Sequence, residues 1–503
     1  MSAGTVTVVG GGVAGLCSGI YAAANGYETT IFEAHTLPGG LCTSWNRQGY
    51  TFDGCIHWFV GGKPGSGFRR MWDEVGATEG ISLVPHDRLS TVRDADGNEL
   101  TLWADLDRLR RDGLATWPGE GRGFDEVVRG ARAMARTGSS VPDTPPDMMG
   151  GFDGLKMLVK SAPSLAKMRK YMNMSMRDVA EQFHDPALRQ IMLHAINEPR
   201  MGAMAFLGTM GWFEAGDANW VGGGSLGFAR KLERRFLDLG GEISYGSRVE
   251  RILVESDRAV GVRLADGSEH RADHVIGAAD GHATIFEMLD GRYADDRVRN
   301  LYDKLEPFSS LIQVSLGVDM DLSQEPWSYV LLLEDGSQVG DRTTTSVWTH
   351  HYAYDPTMAP AGKSCVTAIL GADLEPWKQL RDTDRAAYEA MKASVGQEVI
   401  SIVERAYPGI GEHVEVVDVA TPATYVRYTG NWKGSFEGWL LSPENTQVAG
   451  MGGLPRRLPG LSNFVMAGQW VWPGGGLPSG VLTGRWAAQT ICADDSRSFV
   501  APA

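Results

Sequence analysis

Three glycines and one acid carry the clearest chemistry in this chain. Gly10, Gly12 and Gly15 follow the apolar run Thr5 to Val9 and precede a helix-forming stretch, Leu16 to Asn25. Glu33 closes a second strand-like run, Glu28 to Phe32. A β-turn-α-β unit with Gly-x-Gly-x-x-Gly spacing and an acid about twenty residues further on is a dinucleotide-binding pattern. Gly10 permits the tight turn, Gly12 leaves space for a pyrophosphate, and Gly15 lets helix and strand pack closely. Val13 and Ala14 open the helix, whose free N–H groups and dipole favour an anion. Glu33, with Ala34 after it, is placed to accept hydrogen bonds from a ribose diol. A turn that merely packs is the alternative, but strand, helix and acid all stand where a nucleotide needs them.

A second glycine turn follows, Pro38-Gly39-Gly40-Leu41. Paired glycines let backbone pass close to a flat or anionic group, so this turn reads as a further cofactor contact rather than a simple bend. The run Tyr50 to Phe59 is dense in aromatics and poor in charge, so it is expected to be buried or to line a cavity. His57 is its candidate for chemistry, with a satisfied core histidine as the plainer reading. Near the other end, Phe464 to Gly468 reads as a strand, Gln469 to Gly480 as a glycine loop containing Gly475, Leu477 and Pro478, and Val481 to Thr490 as a helix. Both ends of the chain are thus expected to converge on one site. Between Thr421 and Trp439 rings alternate with glycines; they suit a pocket wall, or any packed loop. Tyr425 and Arg427 lie there.

The elements that must hold these residues imply more than one core. With 503 residues, at least two domains are expected. The 64 glycines show no period, which excludes a collagen-like repeat. A formal net charge of -15, from 47 basic and 62 acidic residues, argues against nucleic acid as a partner and for a soluble protein. Five scattered cysteines without metal-ligand spacing read as reduced thiols of a cytoplasmic protein. The first strand begins at Thr5, which leaves no room for a leader peptide, and no apolar run is long enough to cross a bilayer. Leu89–Arg93 and Glu99–Leu102 form an expected hairpin. A glycine hinge leads into a helix from Leu226 to Leu239, with Ser225 as its N-cap. Strands at 310–318, 329–333, 344–349 and 364–370, with no helix between them, suit a broad antiparallel floor. Residues 148–176 are methionine-rich, amphipathic and locally basic: a lid or membrane-facing helix is one expectation, an ordinary packed helix the other.

Taken together, the motifs resemble those of the phytoene desaturase, carotenoid isomerase and retinol saturase group of the amine oxidase-like flavoproteins. Gly10-x-Gly12-x-x-Gly15 with Glu33 resembles the group's FAD fingerprint, and Pro38-Gly39-Gly40 its second glycine motif. Phe52-Asp53-Gly54 to Trp58 and Thr421 to Gly430 resemble segments of the isomerase and saturase branch. Val249 falls where the group contacts adenine, and Gly468 to Gly480 resembles its C-terminal flavin motif. One departure stands out: many members have Gly-Asp where this chain has Gly468-Gln469. The resemblance implies an α/β fold with a discontinuous Rossmann-like FAD-binding domain (residues 1–75, 222–290 and 455–503). An α+β substrate domain on a mostly antiparallel sheet takes residues 76–221 and 291–454. It further implies FAD chemistry at a carbon–carbon double bond of an apolar polyene, isoprenoid or lipid, with His57, Tyr425 and Arg427 as candidates to shape the pocket or handle a proton. An amine-oxidase-like enzyme for a smaller polar substrate, a flavin-binding protein without turnover, and a nicotinamide enzyme are the rivals.

Overall fold

The computed structural model describes residues 4–138, 141–149, 169–340, 342–449 and 454–502. Strands from near both ends and from the middle of the chain assemble into one five-stranded parallel sheet. Its order is Glu242–Ser244, Glu28–Phe32, Thr5–Val9, His274–Gly277, Phe464–Met466. Val6, Val8, Ile31, Val275, Ile276 and Val465 are all buried, as a sheet covered on both faces requires. The helix Val13–Ala24 lies against the long helix Gly476–Asp494. Glycines make that approach possible: a Cβ on Gly480 or Gly484 would stand 2.9 Å from Val13 Cγ1 or Cys17 Cβ.

The second large sheet has seven strands in the order Val414–Ala420, Ser310–Val318, Ser364–Ala372, Ser346–His351, Ser328–Leu332, Arg88–Arg93, Glu99–Trp103. Every pairing is antiparallel except that of Ser328–Leu332 with Arg88–Arg93. Alternation along Ser310–Val318 divides its faces. Ile312, Val314, Leu316 and Val318 pack with Val395, Val399 and Val403 of the helix Arg385–Val403. Leu311, Gln313 and Gly317 face the hairpin Ser44–Arg47/Tyr50–Asp53, which leads out of the cofactor half. The sheet is therefore the floor beneath that half, backed by helices. This is a discontinuous, largely parallel nucleotide-binding sheet joined to a substrate domain built on antiparallel strands.

Several local expectations change. Thr421–Gly430 holds a helix, Pro422–Thr429, begun by a Thr421/Thr424 capping box with Pro422 in its first turn and ended by Gly430 at φ 66°. The last helix starts at Gly476 rather than Val481; Pro478 is tolerated because first-turn N–H groups have no acceptor within the helix. The expected 344–349 strand is Ser346–His351. Ser225 is not an N-cap. The helix runs Gly224–Asp238, with Gly223 at φ 85° ahead of it. Asp53 does the capping from outside: its carboxylate accepts from Ser225 N and Ser225 Oγ, both at 2.6 Å. Of the 148–176 stretch, residues 150–168 lie outside the described residues, so the expected lid or membrane-facing helix does too. Among the described residues no helix is long and apolar enough to cross a membrane.

Candidate cofactor and substrate site

The opening turn is held by its neighbours. Gly10, at φ 98°, donates its N–H to Phe32 O at 2.8 Å. A Cβ on Gly15 would collide with the Gly10 carbonyl oxygen. Gly12 precedes the helix Val13–Ala24 with no side-chain cap, so the first-turn N–H groups face outward as an anion cradle. Gly39 N donates to Gly11 O at 2.9 Å, and Gly12 and Gly39 form a parallel bridge, so the second glycine turn lies directly on the first. Gly40 packs with it: a Cβ there would be 3.3 Å from Gly12 Cα.

Glu33 is buried, and both its oxygens are fixed by backbone: Oε2 accepts from Gly11 N at 2.6 Å and Oε1 from His35 N at 2.7 Å. Each oxygen keeps a lone pair for a hydroxyl donor, so the carboxylate is oriented, with capacity left for a diol. Ala34 continues this loop. Ser247 N donates to Glu33 O at 2.8 Å, which brings buried Val249 beside it. At the far end Gly468, φ 106°, lies beside Ala14, where an added Cβ would stand 3.4 Å from the Ala14 Cβ, and its N–H donates to Thr483 Oγ1 at 2.8 Å. Gln469 follows it, and Gly475, at φ 49°, opens the last helix, with Leu477 and Pro478 in its first turn. Two uncapped helix starts and two glycine turns thus meet side by side. Cradles in which a Cβ would clash, an oriented acid and a helix N-terminus fit an extended dinucleotide such as FAD.

Leu41 carries the cofactor turn into a wall. With Trp45 and Phe436 it packs on Leu311, Ile369, Ala420 and Tyr425, an apolar surface shared by the hairpin, the sheet floor and the helix Pro422–Thr429. Tyr425 donates to Gln313 Oε1 at 3.3 Å; Gln313 Nε2 in turn donates to Asp53 O at 2.7 Å. Burial pushes the Tyr425 phenol up, so it is a wall group held neutral rather than an acid. His57 is enclosed by protein yet keeps accessible surface. It stacks on His350, ring centroids 4.8 Å apart and planes 3° apart, and burial lowers its pKa to about 4. A neutral imidazole in the wall follows. Arg427 is not brought into this group. It is exposed, its guanidinium 5.3 Å above the Tyr428 ring, because it follows Tyr425 by roughly 200° around the helix.

Sequence reasoning left three participants out of the site. Asp53 also accepts from Cys55 N and Ile56 N, each at 3.0 Å, and so fixes the His57 segment; burial still raises its pKa. Gln313 gave no signal, being one polar residue in a buried strand. Glu437 did give one: it is the single acid between Thr421 and Trp439. A flavin bound here supplies hydride or single-electron exchange, and the chain's part is to hold it, orient the substrate and exclude water.

Known proteins share this fold. The family described as flavin containing amine oxidoreductase matches residues 13–492. Prolycopene isomerase of Daucus carota is 24% identical, over 97% of this chain and 80% of its own. The neurosporene-forming phytoene desaturase of Cereibacter sphaeroides is also 24% identical, over 98% of this chain and 95% of its own. Among solved structures, an oxidoreductase from Methanosarcina mazei superposes with a TM-score of 0.59 at 18% identity, covering 97% of this chain and 100% of that one. Cyclohexylamine oxidase from Brevibacterium oxydans gives 0.60 at 16%, covering 98% and 100%. The chain belongs to the flavin-containing amine oxidoreductase family. It is an FAD-dependent oxidoreductase.

Proposed function

We propose that this enzyme works on a carbon–carbon double bond of an apolar, conjugated or isoprenoid substrate, by desaturation, saturation or cis–trans isomerisation. FAD lies along Gly10–Gly15, Glu33, Ala34, Gly39–Leu41 and Val249, with Gly468, Gln469, Gly475, Leu477 and Pro478 closing the other side. One observation carries the substrate class: the wall continuing from Leu41 is built from Trp45, Leu311, Ile369, Tyr425 and Phe436. Burial of apolar substrate surface is what such a wall rewards. His57, held neutral, and Tyr425 shape that wall. The matches over nearly the whole chain to prolycopene isomerase and phytoene desaturase support the same reading. Anaerobic incubation of oxidised and reduced enzyme with polyenes, isoprenoids, unsaturated fatty acids and amines, followed by product mass, tests it. A hydrogen pair lost or gained marks desaturation or saturation; a new isomer of unchanged mass marks isomerisation. Turnover confined to amines would overturn the proposal.

A further inference from the structure

We propose that Glu437 is a proton-holding group of the flavin site, presenting its carboxyl to a polar edge of the cofactor at the Gly474–Gly476 turn. The inference rests on the FAD reading above. Glu437 belongs to the loop Ser435–Trp439, which is wedged between two parts of the C-terminal glycine motif. On one side Gly438, at φ 73°, sits against Gln469: a Cβ there would stand 2.7 Å from Gln469 O and 3.0 Å from its Cγ. On the other, a Cβ on Gly475 would collide with the Glu437 carbonyl oxygen, and one on Gly476 would stand 2.9 Å from Glu437 Oε1. The carboxyl is therefore laid across the turn that starts the last helix.

The loop's neighbouring backbone groups already have partners. Gly438 O accepts from Phe308 N at 2.8 Å and Ser435 Oγ at 2.9 Å, and Trp439 O accepts from Gly474 N at 3.2 Å. The Glu437 carboxyl takes part in no hydrogen bond or ion pair among the described residues, although protein surrounds it and some of its surface stays accessible. The groups set against this loop, Gln469 on one side and Gly475 and Gly476 on the other, carry no charge, and no neighbouring charge acts on the carboxyl. Burial alone pushes its pKa up to about 8. At neutral pH it is mostly the acid, one O–H donor and one carbonyl acceptor, suited to meet a ring with both kinds of polar atom. A residue needed only to fill space over two glycines would not require an ionisable end.

The flavin-loaded full chain provides the test. The visible spectrum of bound flavin is followed through the range around pH 8 in wild type, Glu437→Gln, Glu437→Ala and, as an exposed control, Glu444→Gln. Wild type and the control are expected to show a spectral transition centred near pH 8, matched by a change in the pH dependence of the flavin reduction potential. Both features disappear in the two Glu437 variants. A transition that survives in either, or none in wild type carrying stoichiometric flavin, overturns the inference while leaving the FAD reading intact. A purified chain that takes up no flavin overturns both.

Discussion

Gly15 leaves no room for even a methyl group. Its Cβ position falls on the Gly10 carbonyl oxygen, a backbone atom that cannot swing aside. Overpacking of this kind costs about 1–3 kcal/mol, and here the strain bears on the turn that cradles the pyrophosphate. Gly15→Ala is expected to raise the Kd for flavin at least about tenfold, the equivalent of 1.4 kcal/mol, in a titration of apoprotein with FAD. An unchanged Kd would show that the turn does not hold the cofactor. A second residue-scale consequence concerns the buried imidazoles. His350 is fully buried, neither ring nitrogen has a hydrogen-bond partner among the described residues, and its pKa lies well below 6.5 through burial and the nearby His57, His86 and His351. Folded, it resists a proton that the unfolded chain accepts. Its effect on stability is nil above 6.5 and grows unfavourable as pH falls below that value. Relative to His350→Leu, wild type should therefore lose about 1.4 kcal/mol per pH unit between pH 6.5 and about 5. Urea unfolding of both proteins at each pH measures the gap; a constant gap would contradict the burial argument.

Asp53 shows how one side chain can set an element. Its carboxylate substitutes for the missing side-chain cap of Gly224–Asp238 while holding the backbone that leads to His57. Asn at this position must turn an amide toward one of those donors, so Asp53→Asn is expected to cost about 1–3 kcal/mol, and Asp53→Ala more. Chemical denaturation reads the loss, and equal stability would deny the cap. The same residue marks where sequence ceases to be legible. Motifs within one β-turn-α-β unit declare themselves, because Gly10, Gly15 and Glu33 are neighbours along the chain and their types follow from local geometry. Apolar alternation likewise announced the strands of the floor. The Asp53–Ser225 contact joins residues far apart in sequence, and Ser225 beside glycines imitated an ordinary cap. The helix at Pro422–Thr429 was hidden by its rings and β-branched residues, which weaken helical propensity; tertiary packing of Tyr425 and Ala423 outweighs that weakness. Arg427 was implied by the likeness of Thr421 to Gly430 to the isomerase and saturase branch, and helical phase turns it away from the Tyr425 wall.

Across the whole molecule the two chain ends are locked by a buried charge cluster. Arg485, on the last helix, donates from Nε to Glu74 Oε2 at 2.9 Å and from Nη1 to Asp143 O at 2.8 Å. Glu74 also accepts from Tyr21 OH at 2.8 Å, on the first helix. Arg485 and Glu74 side chains are only 8% and 9% exposed, so without Glu74 the buried guanidinium keeps just the Asp143 carbonyl and a longer pair with the Asp143 carboxylate at 4.0 Å. Glu74→Ala is expected to cost about 3–5 kcal/mol, read as a fall in unfolding midpoint. A surface-like loss below about 1 kcal/mol would show that the cluster is not holding the ends together.

That closure has a consequence in time. The strand Phe464–Met466 completes the parallel sheet, and Gly468 meets Ala14 only after it. A ribosome makes the chain from its first residue onward. The opening glycine turn therefore exists, until residues 464–480 are made, without the strand and helix that pack beside it in the finished fold. If FAD sits between both walls as proposed, its capture waits on residues 464–480, made long after Gly10 to Gly15.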